Sequence, residues 1–292
     1  MEKQITAIIV NYNTKELLEK CLAHIGRSTC APLIHTVVVD NASRDGSVEL
    51  LHSKYPEVET IALPENAGFG RGNNAALKKL ETPYALLLNT DAFLFEDAAE
   101  KLLTFMQRNP GVGAAGPLVK NADGSVQASC RRFLSISSAF FHAFIGKLAP
   151  KNKRTREYMM EDLCRDQDTP VDWVSGCCMM LRREALADVG GGFDEKYFMY
   201  IEDVDLCWRL HQEGWQVSYV PEAQCTHIIG ASGGYSNPIH IKAFHAGMWT
   251  FFKKRYGKTG KALLFPLVYL GIQLRLAGKL AANSLKKRRS QP

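Results

Sequence analysis

Short runs of near-continuous aliphatic residues, separated by segments of helical periodicity, fill the first 115 residues and restrict the fold more than any other feature. The runs cover residues 5–10, 36–39, 58–63 and 84–88. Strands that are apolar throughout are typical of a parallel sheet that helices cover on both faces. Ligands of such open α/β sheets bind beyond the carboxyl ends of the strands. We therefore expect an α/β fold with its functional site at that edge.

The remaining chain is less regular. Residues 120–170 are rich in Arg, Lys and Ser and have weak periodicity, which predicts a long mobile excursion. Beyond it we expect strands at 177–181, 216–220 and 224–227, a helix at 201–213, and helical segments at 239–256 and 261–285. These expectations divide the chain into an α/β domain, 1–238, and a C-terminal helical basic extension, 239–292.

Charge is distributed unevenly along the chain. The net charge is +6, but eleven Lys or Arg and no Asp or Glu follow from residue 253 onward, so residues 1–252 carry −5. An acidic body argues against a nucleic-acid-binding core, and clustered cations beside an apolar segment attract anionic lipid headgroups. The alternative is a helix packed on the body with a solvated tail. The uncharged stretch at 262–274 is predicted to be too short to span a bilayer.

Cysteine usage indicates the compartment. The eight Cys include no CxxC pair, and residues 1–4 lead directly into a predicted strand, so we expect no signal peptide. We expect reduced thiols in a cytoplasmic protein, peripheral on the inner face of the cell membrane if its basic end binds lipid.

Polar residues follow each of the four aliphatic runs or open the next helix. They occur at 11–13, 40–43, 66–73 and 89–91. Single Asx residues there are often turn formers or helix caps, but four groups together favour a shared ligand. The glycines of 66–73 follow the third strand in the order G-x-G-x-G, which disfavours a dinucleotide oxidoreductase. Arg71 in this loop is a candidate phosphate or substrate contact, or else a solvated surface arginine.

Two further groups carry candidate chemistry. Asn89 and Asp91, two residues apart after a buried strand, can face one ligand, and one carboxylate shared with diphosphate oxygens suffices for a hard divalent cation. His227 ends a short strand; a lone His is more often structural, but a neutral imidazole suits a further metal ligand. Gly176 stands at a strand entrance, where the backbone can approach a sugar closely.

Three carboxylates open the predicted helix at 201–213. Glu202, Asp203 and Asp205 favour the helix dipole, but capping needs only one or two of them. A carboxylate near an acceptor hydroxyl is the usual requirement for a general base. We favour Asp203 as that base and Glu202 as its acceptor-binding neighbour, and we expect Asp205 to pair with Arg209.

In combination and order these motifs resemble the family-2 glycosyltransferases with the GT-A fold, close to a rhamnosyltransferase-like bacterial branch. The resemblance spans about residues 4–257 and is carried by 9–13, 39–46, 66–73, 88–92, 174–176, 192–195 and 198–210. It implies a Rossmann-like, mostly parallel sheet flanked by helices. It also implies an inverting transfer, assisted by Mg²⁺ or Mn²⁺, from a nucleotide-diphospho-sugar to a hydroxyl of a glycan or lipid-linked acceptor in cell-surface polysaccharide (O-antigen or capsule) synthesis.

Residue by residue, the resemblance places the metal at Asp91 with His227, and the base at Asp203 beside Glu202. Nucleotide-sugar contacts are expected at Asn11, Asp40, Asn66, Arg71, Asn89, Asp91 and Gly176. Asn89 stands where the family usually has Asp, so Asp91 is expected to carry most of the metal binding. The branch suggests dTDP-rhamnose as donor. A non-catalytic nucleotide-sugar or polysaccharide-binding module is the alternative function, and the apolar C-terminal helices also allow a homo-oligomer.

Overall fold

A computed structural model of the chain describes residues 1–136, 153–160, 166–230 and 237–289. Its first half alternates strands and helices as the aliphatic runs predict. The elements are β1 (Ile5–Asn11), α1 (Lys15–Gly26), β2 (Ile34–Asp40), α2 (Ser47–Lys54), β3 (Glu59–Ala62), α3 (Gly68–Leu77) and β4 (Tyr84–Asn89). All four predicted strands are confirmed.

The second half adds elements that the sequence analysis did not assign. Three of these are β5 (Ala92–Leu94), α4 (Ala98–Arg108) and β6 (Val112–Lys120). They are followed by β7 (Cys130–Arg131), α5 (Lys153–Met159), β8 (Thr169–Pro170), β9 (Trp173–Val174), β10 (Cys178–Arg182), α6 (Arg183–Asp188), α7 (Glu202–Gln212), β11 (Gln216–His227), α8 (Pro238–Tyr256) and α9 (Phe265–Arg289).

Within the described residues, nine strands form one sheet in the order β3-β2-β1-β4-β10-β6-β11-β5, with β8 beside β11. Strands β1 to β4, β6 and β11 run in one direction, and β5, β8 and β10 run against them. Side chains of one strand enter two cores: Ile5 and Ile9 pack on one face of the sheet, and Ile8 on the other. The predicted α/β fold with a mostly parallel sheet is confirmed.

The predicted excursion at 120–170 is in part wrong. Residues 137–152 and 161–165 lie outside the described residues. In the described parts, β7 pairs with β9 and β8 pairs with β11, so these segments are packed against the body. The strands predicted at 216–220 and 224–227 are one strand, β11, with a bulge after Val220.

Helix α8 is attached to the body by side chains. Lys254 Nζ donates to Asp194 Oδ2 at 2.9 Å and lies 2.8 Å from Oδ1 of the fully buried Asp205. Phe251 packs edge-on against Trp208 at 6.0 Å between ring centres. These contacts join α8 to the sheet domain. The predicted domain boundary after residue 238 stays a prediction.

Helix α9 packs on α8 and leaves an apolar face in solvent. Leu267, Leu270 and Leu274 are exposed on it. The segment Gly260–Leu285 is long and apolar enough to cross a membrane by length and composition, and 6% of its apolar window is buried. The prediction that the stretch at 262–274 is too short to span a bilayer is therefore wrong about length, because the helix continues past Arg275.

Candidate active site

A cleft of about 910 Å³ opens at the carboxyl ends of β1 and β4 and runs toward α8 and α9. Seven of the predicted site residues line it: Asn66, Asn89, Asp91, Gly176, Glu202, Asp203 and His227. Asn11, Asp40 and Arg71 lie outside its described lining. The fold thus brings the predicted metal, base and acceptor residues to one cavity.

Asn11 and Asp40 bind each other at the ends of β1 and β2. Asn11 Nδ2 donates to Asp40 Oδ2 at 2.8 Å and to Ser43 Oγ at 3.0 Å, and the Ser43 N–H donates to Asp40 Oδ1 at 2.8 Å. Both residues are almost fully buried. Neither residue belongs to the described lining, but their neighbours Tyr12 and Asn41 do, so the pair supports this end of the cleft from behind. Direct nucleotide contact by Asn11 or Asp40 stays a prediction.

The loop before α3 makes a tight turn against the segment before α7. Asn66 Oδ1 accepts the Gly68 N–H at 3.0 Å, the i to i+2 bond typical of an Asx turn. Gly68 has φ +82°, and a Cβ there would lie 2.1 Å from the Phe198 carbonyl oxygen, so only glycine fits. Arg71 points outward, its side chain 54% exposed and 3.7 Å from Glu195. Its predicted role in binding stays a prediction.

Asp91 and His227 meet because β5 and β11 pair beside them. Asp91 Oδ1 lies 3.2 Å from His227 Nε2, and Asp91 is 1% exposed. Gln127 holds this imidazole: its Nε2 donates to the His227 carbonyl at 2.6 Å, and its Oε1 lies 3.1 Å from Nδ1. With Nδ1–H donating to that oxygen, Nε2 presents its lone pair toward Asp91, as a metal-binding imidazole does. Sequence reasoning missed Gln127, because it lies in the segment without periodicity.

This donor set suits a divalent cation that shares its ligands with a substrate. In the part of the chain that the structure describes, no group of three or more His, Cys, Asp or Glu could hold a metal. The predicted ligands therefore supply one carboxylate, from Asp91, and one imidazole, from His227. They fit Mn²⁺, and also Mg²⁺, which takes one carboxylate beside water and phosphate oxygens. Asp91 and His227 therefore fit the implied ion only when a diphosphate completes the coordination.

Glu202 and Asp203 open α7 inside the cleft. Asp203 Oδ2 accepts the Gly176 N–H at 3.1 Å, and Oδ1 accepts the Val204 N–H at 2.8 Å. Glu202 is 4% exposed, and its Oε2 has no hydrogen-bond partner among the described residues. Burial raises the pKa of Asp203, and burial together with the Asp203 charge raises the pKa of Glu202 to about 8. A buried Glu202 beside a half-buried Asp203 disfavours ionisation of both carboxyls at once, which brings their pKa values toward the range useful for proton transfer.

Strained backbone presents this pair. Tyr200 and Ile201, directly before α7, have φ of +69° and +71°, a left-handed conformation that costs non-glycine residues roughly 1–3 kcal/mol each. Helix α8 packs against them, since a Cβ on Gly247 would lie 3.0 Å from the Tyr200 carbonyl oxygen. The Tyr200 ring also packs edge-on against Phe244 at 6.1 Å. The C-terminal region therefore helps to hold the segment that positions Asp203.

Asp205, the third carboxylate of this helix start, belongs to the core. Arg209 Nε donates to its Oδ2 at 2.8 Å, which confirms the predicted pair. Tyr197 donates to Oδ1 at 3.1 Å. Asp205 is fully buried and is absent from the described lining of the cleft. It fixes α7 to its surroundings and leaves Glu202 and Asp203 to face the cleft.

Comparison with known proteins gives a consistent result. The family model for "Glycosyl transferase family 2" matches residues 6–190. The chain is 33% identical over 275 residues to N-acetylglucosaminyl-diphospho-decaprenol L-rhamnosyltransferase of Mycobacterium tuberculosis (strain H37Rv), covering 90% of this chain and 89% of that protein. It is 29% identical over 167 residues to rhamnosyltransferase WbbL of Escherichia coli K12, covering 55% and 60%. The mannosyltransferase PcManGT from Pyrobaculum calidifontis, solved with GDP-Man and Mn²⁺, has a TM-score of 0.59 at 18% identity, covering 98% of this chain and 76% of that one.

Proposed function

The chain belongs to glycosyl transferase family 2, and on that premise we propose an inverting, metal-dependent transfer from a nucleotide-diphospho-sugar to a hydroxyl of a lipid-linked or other glycan acceptor. It is a glycosyltransferase of cell-wall or polysaccharide synthesis with a GT-A fold. We propose dTDP-rhamnose as the donor because two relatives are rhamnosyltransferases. The observation that carries the mechanism is a half-buried Asp203 whose pKa is raised by burial, in the same cleft as Asp91 and His227.

Asp203 accepts the proton of the attacking acceptor hydroxyl. The Gly176 N–H, which donates to Oδ2, orients the carboxylate and balances part of its charge. Glu202, with an Oε2 that lacks a partner among the described residues, binds a hydroxyl of the acceptor sugar and orients it toward Asp203. A non-catalytic binding module has no use for such a pair of carboxyls, so we disfavour that alternative.

Asp91 and His227 would hold Mg²⁺ or Mn²⁺ together with the donor diphosphate. When bound, the cation neutralises negative charge on the leaving nucleoside diphosphate. Gln127 keeps the imidazole of His227 in the metal-binding tautomer, and the buried position of Asp91 keeps its carboxylate fixed. Asn89 lines the cleft beside them and is proposed to contact the donor rather than the ion.

Thermal shift with dTDP, UDP and GDP, with and without Mn²⁺, tests this assignment. We expect one nucleoside diphosphate to raise the melting temperature in the presence of Mn²⁺. Asp91→Asn should abolish that rise, whereas Asp203→Asn should keep it and lose only turnover of the nucleotide-sugar. Equal stabilisation with and without metal, or by NAD, would contradict the proposal.

We also propose that the protein acts on the cytoplasmic face of the membrane, bound through α9. The exposed Leu267, Leu270 and Leu274 lie on a segment whose flanks are basic, which favours an anionic lipid surface. Replacing all three leucines with Glu in the full chain should abolish sedimentation with phosphatidylglycerol vesicles. If that variant instead changes the mass in solution and leaves sedimentation unchanged, the face binds a second copy of the chain and the membrane proposal fails.

A further inference from the structure

The lining of the cleft contains two arginines that the proposed mechanism does not use. Arg131 on β7 and Arg275 on α9 both line the cavity. The carboxylates of the described lining are Asp91, Glu202 and Asp203, which lie after β4 and at the start of α7. Neither arginine forms an ion pair with these carboxylates among the contacts of the described residues.

Arg131 is held in place but retains an unused donor. Its guanidinium lies 5.5 Å from the ring centre of Tyr158 and 5.6 Å from that of Trp173, and Nη1 donates to the Tyr158 hydroxyl at 3.2 Å. Its Nε is buried without a hydrogen-bond partner in the part of the chain that the structure describes. Buried donors without partners are rare and costly in proteins, so a ligand that accepts this bond is expected. The Arg131 charge also acts on Asp203, whose pKa it lowers against the larger effect of burial.

Arg275 shares a neighbour with Arg131, because the Tyr158 hydroxyl that accepts from Arg131 also acts electrostatically on Arg275. Its guanidinium lies 5.6 Å from the Phe244 ring centre, and Nη1 donates to the Met248 sulfur at 3.4 Å. Burial lowers the pKa of this guanidinium, and Tyr158 raises it by a smaller amount. A thioether is a weak acceptor and a ring face is a weak counter-charge, so neither replaces the water that Arg275 loses.

We propose that Arg131 and Arg275 form a subsite for the diphosphate group of the acceptor, with the adjacent apolar side chains of α8 binding the first isoprenoid units. This inference rests on the proposed function. An acceptor built as sugar, diphosphate and lipid offers one part to each kind of group in the described lining: carboxylates, arginines and apolar side chains. Asp203 faces the sugar hydroxyl, the arginines face the diphosphate, and Phe244, Met248, Phe251 and Phe252 face the lipid on the way to the exposed side of α9. Guanidinium groups suit this role because they bind phosphate oxygens bidentately.

The donor contains a diphosphate of the same chemistry, so the test must separate the two sources. The probe is farnesyl diphosphate, compared with farnesol, in the presence and absence of saturating nucleoside diphosphate and Mn²⁺. We expect farnesyl diphosphate to bind at least about tenfold more tightly than farnesol and to bind together with the nucleotide. Mutual exclusion of farnesyl diphosphate and nucleotide would assign the arginines to the donor and overturn the inference.

Substitutions give the second arm. Arg131→Gln and Arg275→Gln should each weaken farnesyl diphosphate binding by about tenfold or more and leave farnesol and nucleotide binding unchanged. Arg131→Lys and Arg275→Lys, which keep the charge and most of the packing, should recover part of the loss. Arg108→Gln removes an exposed arginine from α4, outside the cleft, and should change nothing. Equal losses in the Arg108 variant, or a loss of nucleotide affinity instead, would refute the subsite.

Turnover separates failure of this inference from failure of the proposed function. With a prenyl-diphospho-sugar acceptor, the Gln variants should raise the KM for acceptor and leave the KM for donor unchanged. Normal turnover with an unchanged acceptor KM overturns the subsite alone. If no nucleotide-sugar is turned over while arginine-dependent binding of farnesyl diphosphate persists, the proposed function fails and the subsite stands.

Discussion

The two ends of the cleft differ in what holds their residues in place. At the strand end, Asp91 follows β4, which lies between β1 and β10 and is buried on both faces of the sheet. Asn11 and Asp40 at this end bind each other. At the helix end, Phe244 and Arg275 lie on helices that side chains such as Lys254 join to the body. Backbone ladders are more resistant to local opening than a few side-chain contacts. Under the proposed function, donor chemistry would depend on the sheet, whereas acceptor recognition would depend on a separately attached helical pair.

The largest expected effect removes the proposed base at the junction of the two ends and leaves both ends intact. Asp203→Asn should lower kcat by about 100- to 10,000-fold, because an amide cannot accept the hydroxyl proton. Its oxygen can still accept the Gly176 N–H, so the melting temperature and the KM for donor should change little. Steady-state kinetics check this, with the exposed Asp97→Asn on the surface of the protein as control. An undiminished kcat would place the base elsewhere.

Lys254→Met should loosen the helix end selectively. It leaves the fully buried Asp205 without one of its cations, although Arg209 remains, and should lower the free energy of unfolding by about 2–3 kcal/mol. Acceptor binding should weaken, and nucleotide binding in Mn²⁺ should not. Denaturant unfolding and both binding assays measure this. Lys101→Met, which breaks the exposed pair with Asp97, should cost less than about 0.5 kcal/mol. Equal losses of nucleotide and acceptor binding would show that the two ends are not separable.

The pH dependence of stability tests the carboxyl pair at the junction of the two ends. The pKa of Glu202 is about 8 in the folded protein and lies near 4.5 in an exposed carboxyl, so the folded state binds the proton more tightly. The free energy of unfolding that this tighter proton binding contributes is fully present below about pH 4.5 and is lost as the pH rises toward 8. Glu202→Gln removes this titration. The melting temperature of the variant should therefore rise relative to the wild type between pH 5 and pH 8; a constant difference would contradict the raised pKa.

The smallest expected effect compares two helix glycines. Alanine normally gains up to about 1 kcal/mol over glycine in a helix. Gly278→Ala in α9, with open space around its Cβ, should show this gain in the free energy of unfolding. Gly247→Ala should instead lose about 1 kcal/mol, since its Cβ would lie 3.0 Å from the Tyr200 carbonyl oxygen. A gain at both positions would mean that α8 does not press on the strained turn.

The strands that the sequence predicts are those whose signal is local. Strands β1 to β4 are short aliphatic runs, and each needs only its own residues to be recognised. Strand β6 was missed because Gly113, Gly116 and Pro117 interrupt its apolar run. The antiparallel direction of β10 depends on where a long connection crosses the sheet, and no local pattern encodes that.

The candidate site divides in the same way. Asp91, Glu202 and Asp203 could be predicted because strand ends and helix starts bring them to one edge. Gln127 could not, since it contacts His227 across 100 positions of sequence. The nucleotide contact expected at Asp40 stays a prediction, and the bonds that Asp40 accepts from Asn11 and Ser43 could not be predicted, because they join residues 29 and 3 positions away at the edge of the sheet.

The position of β10 between β4 and β6 has a consequence for synthesis of the chain. Residues 1–120 leave the ribosome with a gap in the middle of the sheet, and the hydrogen-bonding edges of β4 and β6 stay open until residues 178–182 emerge. Open edges of this kind pair readily with other polypeptides. A nascent chain that stalls before residue 178 is therefore expected to bind chaperones or to aggregate. A truncation that ends at β6 lacks the strand that joins β4 to β6.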